Sequence, residues 1–287
     1  MKTMAILVLL GSSFGAFAQP QIVAHRAGTD DAPENTLVAI EKSLSNGADA
    51  IWITLQLTKD NVPVLYRPSK LEALTDKQGP ISDYTLSQLA AADAGWSFGK
   101  DSHPYRGKNI TIPTLEAVLT RYPSTFFYLD IKSPDADPAR FADALTAVLK
   151  KTGSFSRVRV YSTEEGYLNA LPASVPRFES RDATRTILAN VSLNHSCRIE
   201  NSDKPRWYGL ELNRKVEVVE TFTLGEGRSQ ATLTWDKEAM ACFRSQGEAH
   251  VILFGVNSPQ DYQTAVELGA DGVMVNSPEK FRTIVKK

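Results

Sequence analysis

Short β-rich runs alternate with helical runs along almost the whole of this 287-residue chain, and that alternation limits the fold more than any other feature. Gln21–Ala24 reads as a buried strand, followed by a helix over about 34–45 with Leu37, Ile40 and Leu44 on one face. Ala50–Leu57 and residues 62–66 are two more strands joined by a polar turn at 58–61, and Phe126–Ile131 is the next. The helix after it is well marked. Asp137 is its N-cap, Pro138 sits in the first turn, Phe141, Leu145, Val148 and Leu149 form its apolar stripe, and Gly153 stops it. Strands over 157–161, 177–179, 251–256 and 272–275 complete the pattern, with a helix from Ser258 to Gly269 between the last two.

A βαβα order implies a parallel sheet covered by helices. Roughly eight strands over roughly 250 residues suit a single α/β domain of the (β/α)8 TIM-barrel type, here residues 19–287. Residues 208–212 and 231–235 both look like strands, one more than the barrel needs, and the surplus is assigned to a long loop. A doubly wound open sheet is disfavoured because no Gly-x-Gly-x-x-Gly follows the first strand.

The N-terminus carries a lysine at position 2, a short apolar run over 5–10 and an Ala16-Phe17-Ala18 ending. The run is too short for a transmembrane helix, which needs roughly 20 residues. Residues 1–18 read as an export signal, which places the mature chain in the periplasm or outside the cell. The balance of 32 basic and 33 acidic side chains argues against a nucleic-acid partner, and no later segment reads as a membrane span. Cys197 and Cys242 form neither a Cys-x-x-Cys nor a zinc pattern; one disulfide and two separate buried thiols both remain open.

In such barrels chemistry sits at the C-terminal ends of the strands. His25 and Arg26 end the first strand, Trp52 and Thr54 share one face of the second, Arg67 ends the third, and Asp130 and Lys132 end the fourth. A histidine, two arginines, a lysine and an aspartate converging there outline a site for a phosphate ester. Arginine grips phosphate oxygens bidentately, lysine adds a point charge, and His25 is the candidate acid or base.

Several blocks then resemble the glycerophosphodiester phosphodiesterase family. They are Ile22-Val23-Ala24-His25-Arg26, Ala32-Pro33-Glu34-Asn35-Thr36, residues 56–64, residues 79–86, Ile112-Pro113-Thr114-Leu115-Glu116, Asp130-Ile131-Lys132, Val256-Asn257 and Gly269-Ala270-Asp271-Gly272. They run in the family's order over nearly the whole mature chain. The resemblance implies a TIM barrel that hydrolyses glycerophosphodiesters with two histidines and a divalent cation, Ca²⁺ or Mg²⁺. It also marks departures. Ala27 stands where the family's His-Arg-Gly has glycine, and Trp52 and Thr54 stand where a Glu-x-Asp pair supplies two metal ligands. Arg67 replaces the second histidine, and Asp130 replaces the glutamate that is the third ligand, with Lys132 kept beside it.

Hard divalent cations need several oxygen ligands with carboxylates among them. Asp130 alone leaves at most a weak Ca²⁺ or Mg²⁺ site, so no cofactor is expected. Arg67 cannot replace a histidine acid because its pKa lies above 12. The expected protein is therefore a family member with lost or strongly reduced metal-dependent hydrolysis. Its pocket would take a glycerophosphodiester, phospholipid head group or other small phosphate ligand through His25, Arg26, Arg67 and Lys132. Two alternatives stay open. One is a metal-independent phosphodiesterase using His25 with Arg67 in place of the cation, as bacterial phosphatidylinositol-specific phospholipases C do with an arginine, and with His103 as the nearest second acid. The other is a non-catalytic exported binding or scaffold protein. Glu34 is assigned to the start of the first helix, Glu211 is a candidate replacement ligand, and His195 and His250 are read as incidental.

Overall fold

The computed structural model describes residues 19–285, so the export-signal reading of residues 1–18 lies outside the described residues. Seven parallel strands make one curled sheet. In spatial order they are β5 (Val158–Ser162), β4 (Phe126–Ile131), β2 (Ala50–Leu57), β1 (Gln21–Ala24), β10 (Gly272–Val275), β9 (Ala249–Phe254) and β6 (Arg206–Glu211). Residues 176–179 join the two edges. Val160 N donates to Pro176 O at 2.8 Å and Phe178 N to Val160 O at 2.9 Å, while Glu179 N donates to Trp207 O at 2.8 Å. That segment, expected as a strand over 177–179, acts as the eighth stave and closes the ring as a TIM-barrel-like α/β fold.

Helices pack outside: α1 (Leu37–Ser45), α2 (Leu86–Leu89), α3 (Leu115–Arg121), α4 (Pro138–Thr152), α5 (Glu165–Ala170), α6 (Arg181–Asn194), α7 (Lys237–Phe243), α8 (Pro259–Glu267) and α9 (Pro278–Val285). All eight residues of β2 are buried, as a strand covered on both faces requires. Ile51, Ile53 and Leu55 face outward into the same apolar cluster as Ile40 of α1, Leu115 of α3 and Phe141 of α4. Trp52 faces inward and packs with Tyr128, Tyr161, Phe178 and Phe254, so the barrel interior is an aromatic plug. Gly209 of β6 makes room for it: a Cβ there would lie 2.5 Å from Phe254 Cζ.

Three expectations need correction. The first helix starts at Leu37, because Asn35 takes a left-handed φ of 58° and Thr36 caps the helix by accepting from Ala39 N. Residues 62–66 are not a barrel stave. Their ordered core, β3 (Pro63–Leu65), runs antiparallel to the last residues of β2. The surplus strand is not loop but half of an antiparallel hairpin, β7 (Asn213–Phe222) and β8 (Gly225–Thr234), inserted between β6 and α7. Its ten-residue strands alternate only weakly in polarity and sit mostly exposed, so the period-2 signal over β7 was faint.

Cys197 and Cys242 form a disulfide that ties the segment after α6 to α7. Among the described residues no helix is long and apolar enough to cross a membrane.

Candidate active site

A cavity of about 550 Å³ opens at the C-terminal ends of the strands. It gathers His25, Arg26, Trp52, Arg67, Asp130 and Lys132 of the residues that strand-end reasoning selected, but not Thr54, which is fully buried and does not line it. A smaller cavity of about 300 Å³, bordered by Pro20, Asp49 and Phe281, lies at the opposite end of the barrel, away from these groups.

His25 leaves β1 in a tight turn in which Arg26, Ala27 and Gly28 all have positive φ. Ala27 therefore holds, at φ 65°, a conformation that glycine adopts more cheaply. His25 Nδ1 lies 2.8 Å from Asn276 Oδ1, just beyond β10. Burial pushes the imidazole below its ordinary pKa, and Arg26 and Arg67 push the same way against the Asn276 bond and Glu34. The ring is thus neutral near pH 7. Assigning the proton to Nδ1, the nitrogen facing the Asn276 carbonyl oxygen, leaves the Nε2 lone pair free in the pocket.

Arg26 is held by Glu34 at 2.9 Å, and Thr29 donates to the same carboxylate oxygen. Glu34 therefore serves Arg26 and not the start of α1; the left-handed turn at Asn35 takes it out of the helix. Arg67 reaches the mouth through the β2–β3 hairpin. The chain runs back along β2 until Tyr66 N donates to Thr54 O, and Gln56 Nε2 donates to the carbonyls of Tyr66, Arg67 and Pro68. The Arg67 guanidinium is exposed and makes no ion pair among the described residues.

Asp130 is buried, with Oδ1 3.6 Å from Lys132 Nζ, within ion-pair reach but beyond hydrogen-bond length. Burial raises its pKa to about 6, against the pull of Lys132, Trp52 and Arg26. Lys132 is lowered, chiefly by burial and further by Arg181 and Arg67, while Asp130 opposes. Its ammonium donates to Thr163 Oγ1 at 2.7 Å.

The opposite wall was largely missed. Arg181, the first residue of α6, donates to the Tyr161 hydroxyl at 2.9 Å and to both Glu211 oxygens at 2.8 Å. Arg214 adds a 3.2 Å contact to Glu211. The signal was available, since Arg181 follows stave 176–179 just as Arg67 follows β3. Glu211, weighed as a metal ligand, instead faces two guanidiniums. Burial is the largest single influence and works upward on its pKa, but the Arg181 hydrogen bonds, a backbone hydrogen bond and the charges of Arg181 and Arg214 together hold it below its ordinary value. His103 does not line the pocket. His195 pairs with Glu238 at the surface, and His250 stacks on Trp207 at a centroid distance of 4.2 Å.

A family model for glycerophosphoryl diester phosphodiesterases matches residues 25–280. The chain belongs to that family. An uncharacterized protein of Mycobacterium tuberculosis, Rv2277c, is 42% identical over 291 residues, 96% of each chain. The crystal structure of its glycerophosphoryl diester phosphodiesterase domain superposes with a TM-score of 0.86, covering 93% of this chain and 99% of that one. A Bacillus subtilis glycerophosphodiester phosphodiesterase is 26% identical over 92% of this chain and 86% of its own. An Oleispira antarctica phosphodiesterase, solved with its product sn-glycerol-3-phosphate, shares the fold at a TM-score of 0.67 and 20% identity, covering 94% and 98% of the two chains.

Against this family frame the donor set for a divalent cation is poor. Trp52, 2% exposed, fills the position given to a carboxylate, with four aromatic rings 5.1–5.9 Å from its own. Thr54 is fully buried, with Oγ1 lacking a hydrogen-bond partner, and Asp130 already faces the Lys132 ammonium. Among the described residues no group of three or more His, Cys, Asp or Glu is placed to hold a metal. One neutralised carboxylate and one hydroxyl do not make a calcium or magnesium site.

Proposed function

We propose that this family member binds the phosphate group of a glycerophosphodiester, phospholipid head group or other small phosphate ester without a divalent cation. In this reading, hydrolysis that depends on a metal is lost or strongly reduced. The observation that carries it is the Trp52 indole, caged by aromatic rings where the cation's carboxylates belong, beside a pocket whose cations remain. Arg67 offers an uncommitted guanidinium fork to two phosphate oxygens. Lys132, steadied by Asp130 and Thr163, supplies a second charge, and Arg26 a third, fixed by Glu34. Neutral His25 accepts a hydrogen bond at Nε2 from a hydroxyl of the ligand. The glycerol phosphate bound by the Oleispira neighbour supports a ligand of this class. Export to the periplasm or beyond belongs to the same proposal, supported by the lysine, apolar run and Ala-x-Ala ending of residues 1–18 and by the Cys197–Cys242 bridge.

The His25–Asn276 bond favours one second reading, a metal-independent phosphodiesterase. There Nε2 takes the proton of the attacking hydroxyl, Arg67 and Lys132 meet the charge that develops on phosphate, and the leaving oxygen takes a proton from the protonated form of Asp130, the minority form at pH 7 with a pKa pushed up to about 6.

An assay of glycerophosphodiester turnover with Ca²⁺, with Mg²⁺ and with EDTA separates these outcomes. Little turnover in all three, with calorimetric binding of inorganic phosphate, is the expected result. Robust turnover abolished by EDTA would overturn the proposal. EDTA-resistant turnover that disappears in both His25→Ala and Arg67→Ala would select the second reading.

A further inference from the structure

The wall built from β5, α6, the end of β6 and the root of β7 carries polar groups that phosphate binding does not use. Arg181 grips Glu211 with both oxygens at 2.8 Å and reaches the Tyr161 hydroxyl at 2.9 Å, and its side chain is only 12% exposed. Arg214 approaches Glu211 from the hairpin side, and its Nε is buried without a hydrogen-bond partner. Thr163 links this wall to the phosphate side through Lys132. All of these groups line the same cavity as His25 and Arg67.

The wall therefore presents donors and an acceptor side by side: guanidinium N–H groups, a phenol, and a carboxylate kept ionised by two arginines. A hydroxyl both donates and accepts, so neighbouring hydroxyls match such a mixed surface, whereas a quaternary ammonium has no acceptor and meets two like charges. Charge balance points the same way. Arg26, Arg67, Lys132, Arg181 and Arg214 face Asp130, Glu211 and the Glu34 that holds Arg26, five cations against three carboxylates and a surplus of two. A phosphomonoester dianion meets that surplus and a phosphodiester monoanion leaves one positive charge over, so in either case the opposite wall favours a neutral partner over a cation.

We infer that Arg181, Glu211 and Arg214 form a subsite for the alcohol part of the ligand, selecting a neutral polyhydroxyl group and rejecting a cationic head group. The inference rests on the phosphate-binding reading above and names the class of ester that pocket takes.

Calorimetry with inorganic phosphate, glycerol 3-phosphate, inositol 1-phosphate and phosphocholine tests it. The two polyol phosphates should bind at least tenfold more tightly than phosphocholine. Arg181→Ala and Arg214→Ala, each removing one of the two positive charges while leaving Glu211 paired with the other arginine and each checked for an unchanged circular dichroism spectrum, should bring that ratio to within about threefold. Two different substitutions guard against one variant that fails to fold. Equal affinity for polyol phosphates and phosphocholine in the unmodified protein overturns the subsite, as does a ratio that both variants preserve. Absence of binding by all four ligands, inorganic phosphate included, overturns the phosphate-pocket reading itself and is recognisable as a separate failure.

Discussion

His25 Nδ1 and Asn276 Oδ1 meet at 2.8 Å across 251 residues of sequence, joining the turn after the first strand to the turn after the last. The bond fixes the ring while burial and two arginines depress its pKa. A depressed histidine contributes stability that is present above its unfolded pKa of 6.5 and is lost as pH falls through the folded value. An NMR titration, with His25→Gln identifying the resonance, should place the His25 midpoint below 6.5 in the free protein. Saturating phosphate should raise it. A midpoint at or above 6.5 without ligand would show the depressed assignment to be wrong.

Arg67 is expected to matter for the ligand and not for the fold. Its guanidinium is exposed and unpaired among the described residues, and its backbone is held by Gln56 regardless of the side chain. Arg67→Ala should weaken phosphate binding about 10–100-fold, the worth of a charge-assisted contact of about 1.5–3 kcal/mol. Stability should change by no more than about 0.5 kcal/mol. Calorimetry and a urea melt measure the two effects separately, and an unchanged affinity would remove Arg67 from the phosphate site.

Trp52 should behave in the opposite way. Packed among Tyr128, Tyr161, Phe178 and Phe254, it anchors the barrel interior, and Trp52→Ala is expected to cost about 3–5 kcal/mol. Trp52→Glu, which restores the residue type that the family resemblance implies there, should be at least as damaging, because the carboxylate enters an aromatic cage and faces the Asp130 carboxylate. Denaturant unfolding decides this. A Trp52→Glu protein as stable as its parent and gaining Ca²⁺ affinity would mean that the old ligand geometry persists beneath the indole.

The Cys197–Cys242 bridge spans 45 residues of sequence that include β6 and the whole β7–β8 hairpin. On the chain-entropy account a loop of that length stabilises the fold by about 4 kcal/mol, with typical measured values nearer 2–4. Reduction, or the Cys197→Ser and Cys242→Ser double variant, should lower the melting temperature by several degrees. Two free thiols titrated in the unreduced protein would contradict the bridge.

Residue order determined a good deal by itself. Strand and helix positions along Gln21–Ala24, Ala50–Leu57, Phe126–Ile131 and the helix from Pro138 were legible, because buried staves and capped amphipathic helices write their periods into the chain. The alternation implied the barrel, and the strand-end rule selected His25, Arg26, Arg67, Asp130 and Lys132, all of which line one cavity. That Trp52 and Thr54 stand where the family resemblance implies two carboxylates also came from the sequence.

Tertiary structure alone decided how these groups are paired. Glu34 reads as a helix-start carboxylate until the left-handed backbone at Asn35 turns it onto Arg26. Residues 62–66 read as a stave until antiparallel pairing with β2 folds them back and delivers Arg67 to the mouth. Arg181, Glu211 and Arg214 lie far apart in sequence from the family-like blocks around His25 and Lys132, and only closure of the ring through residues 176–179 brings them to the same pocket. Local sequence carries periodicity and capping because those are short-range backbone and burial effects. Ion pairs across a barrel mouth depend on where distant strands end relative to one another, and no local pattern encodes that.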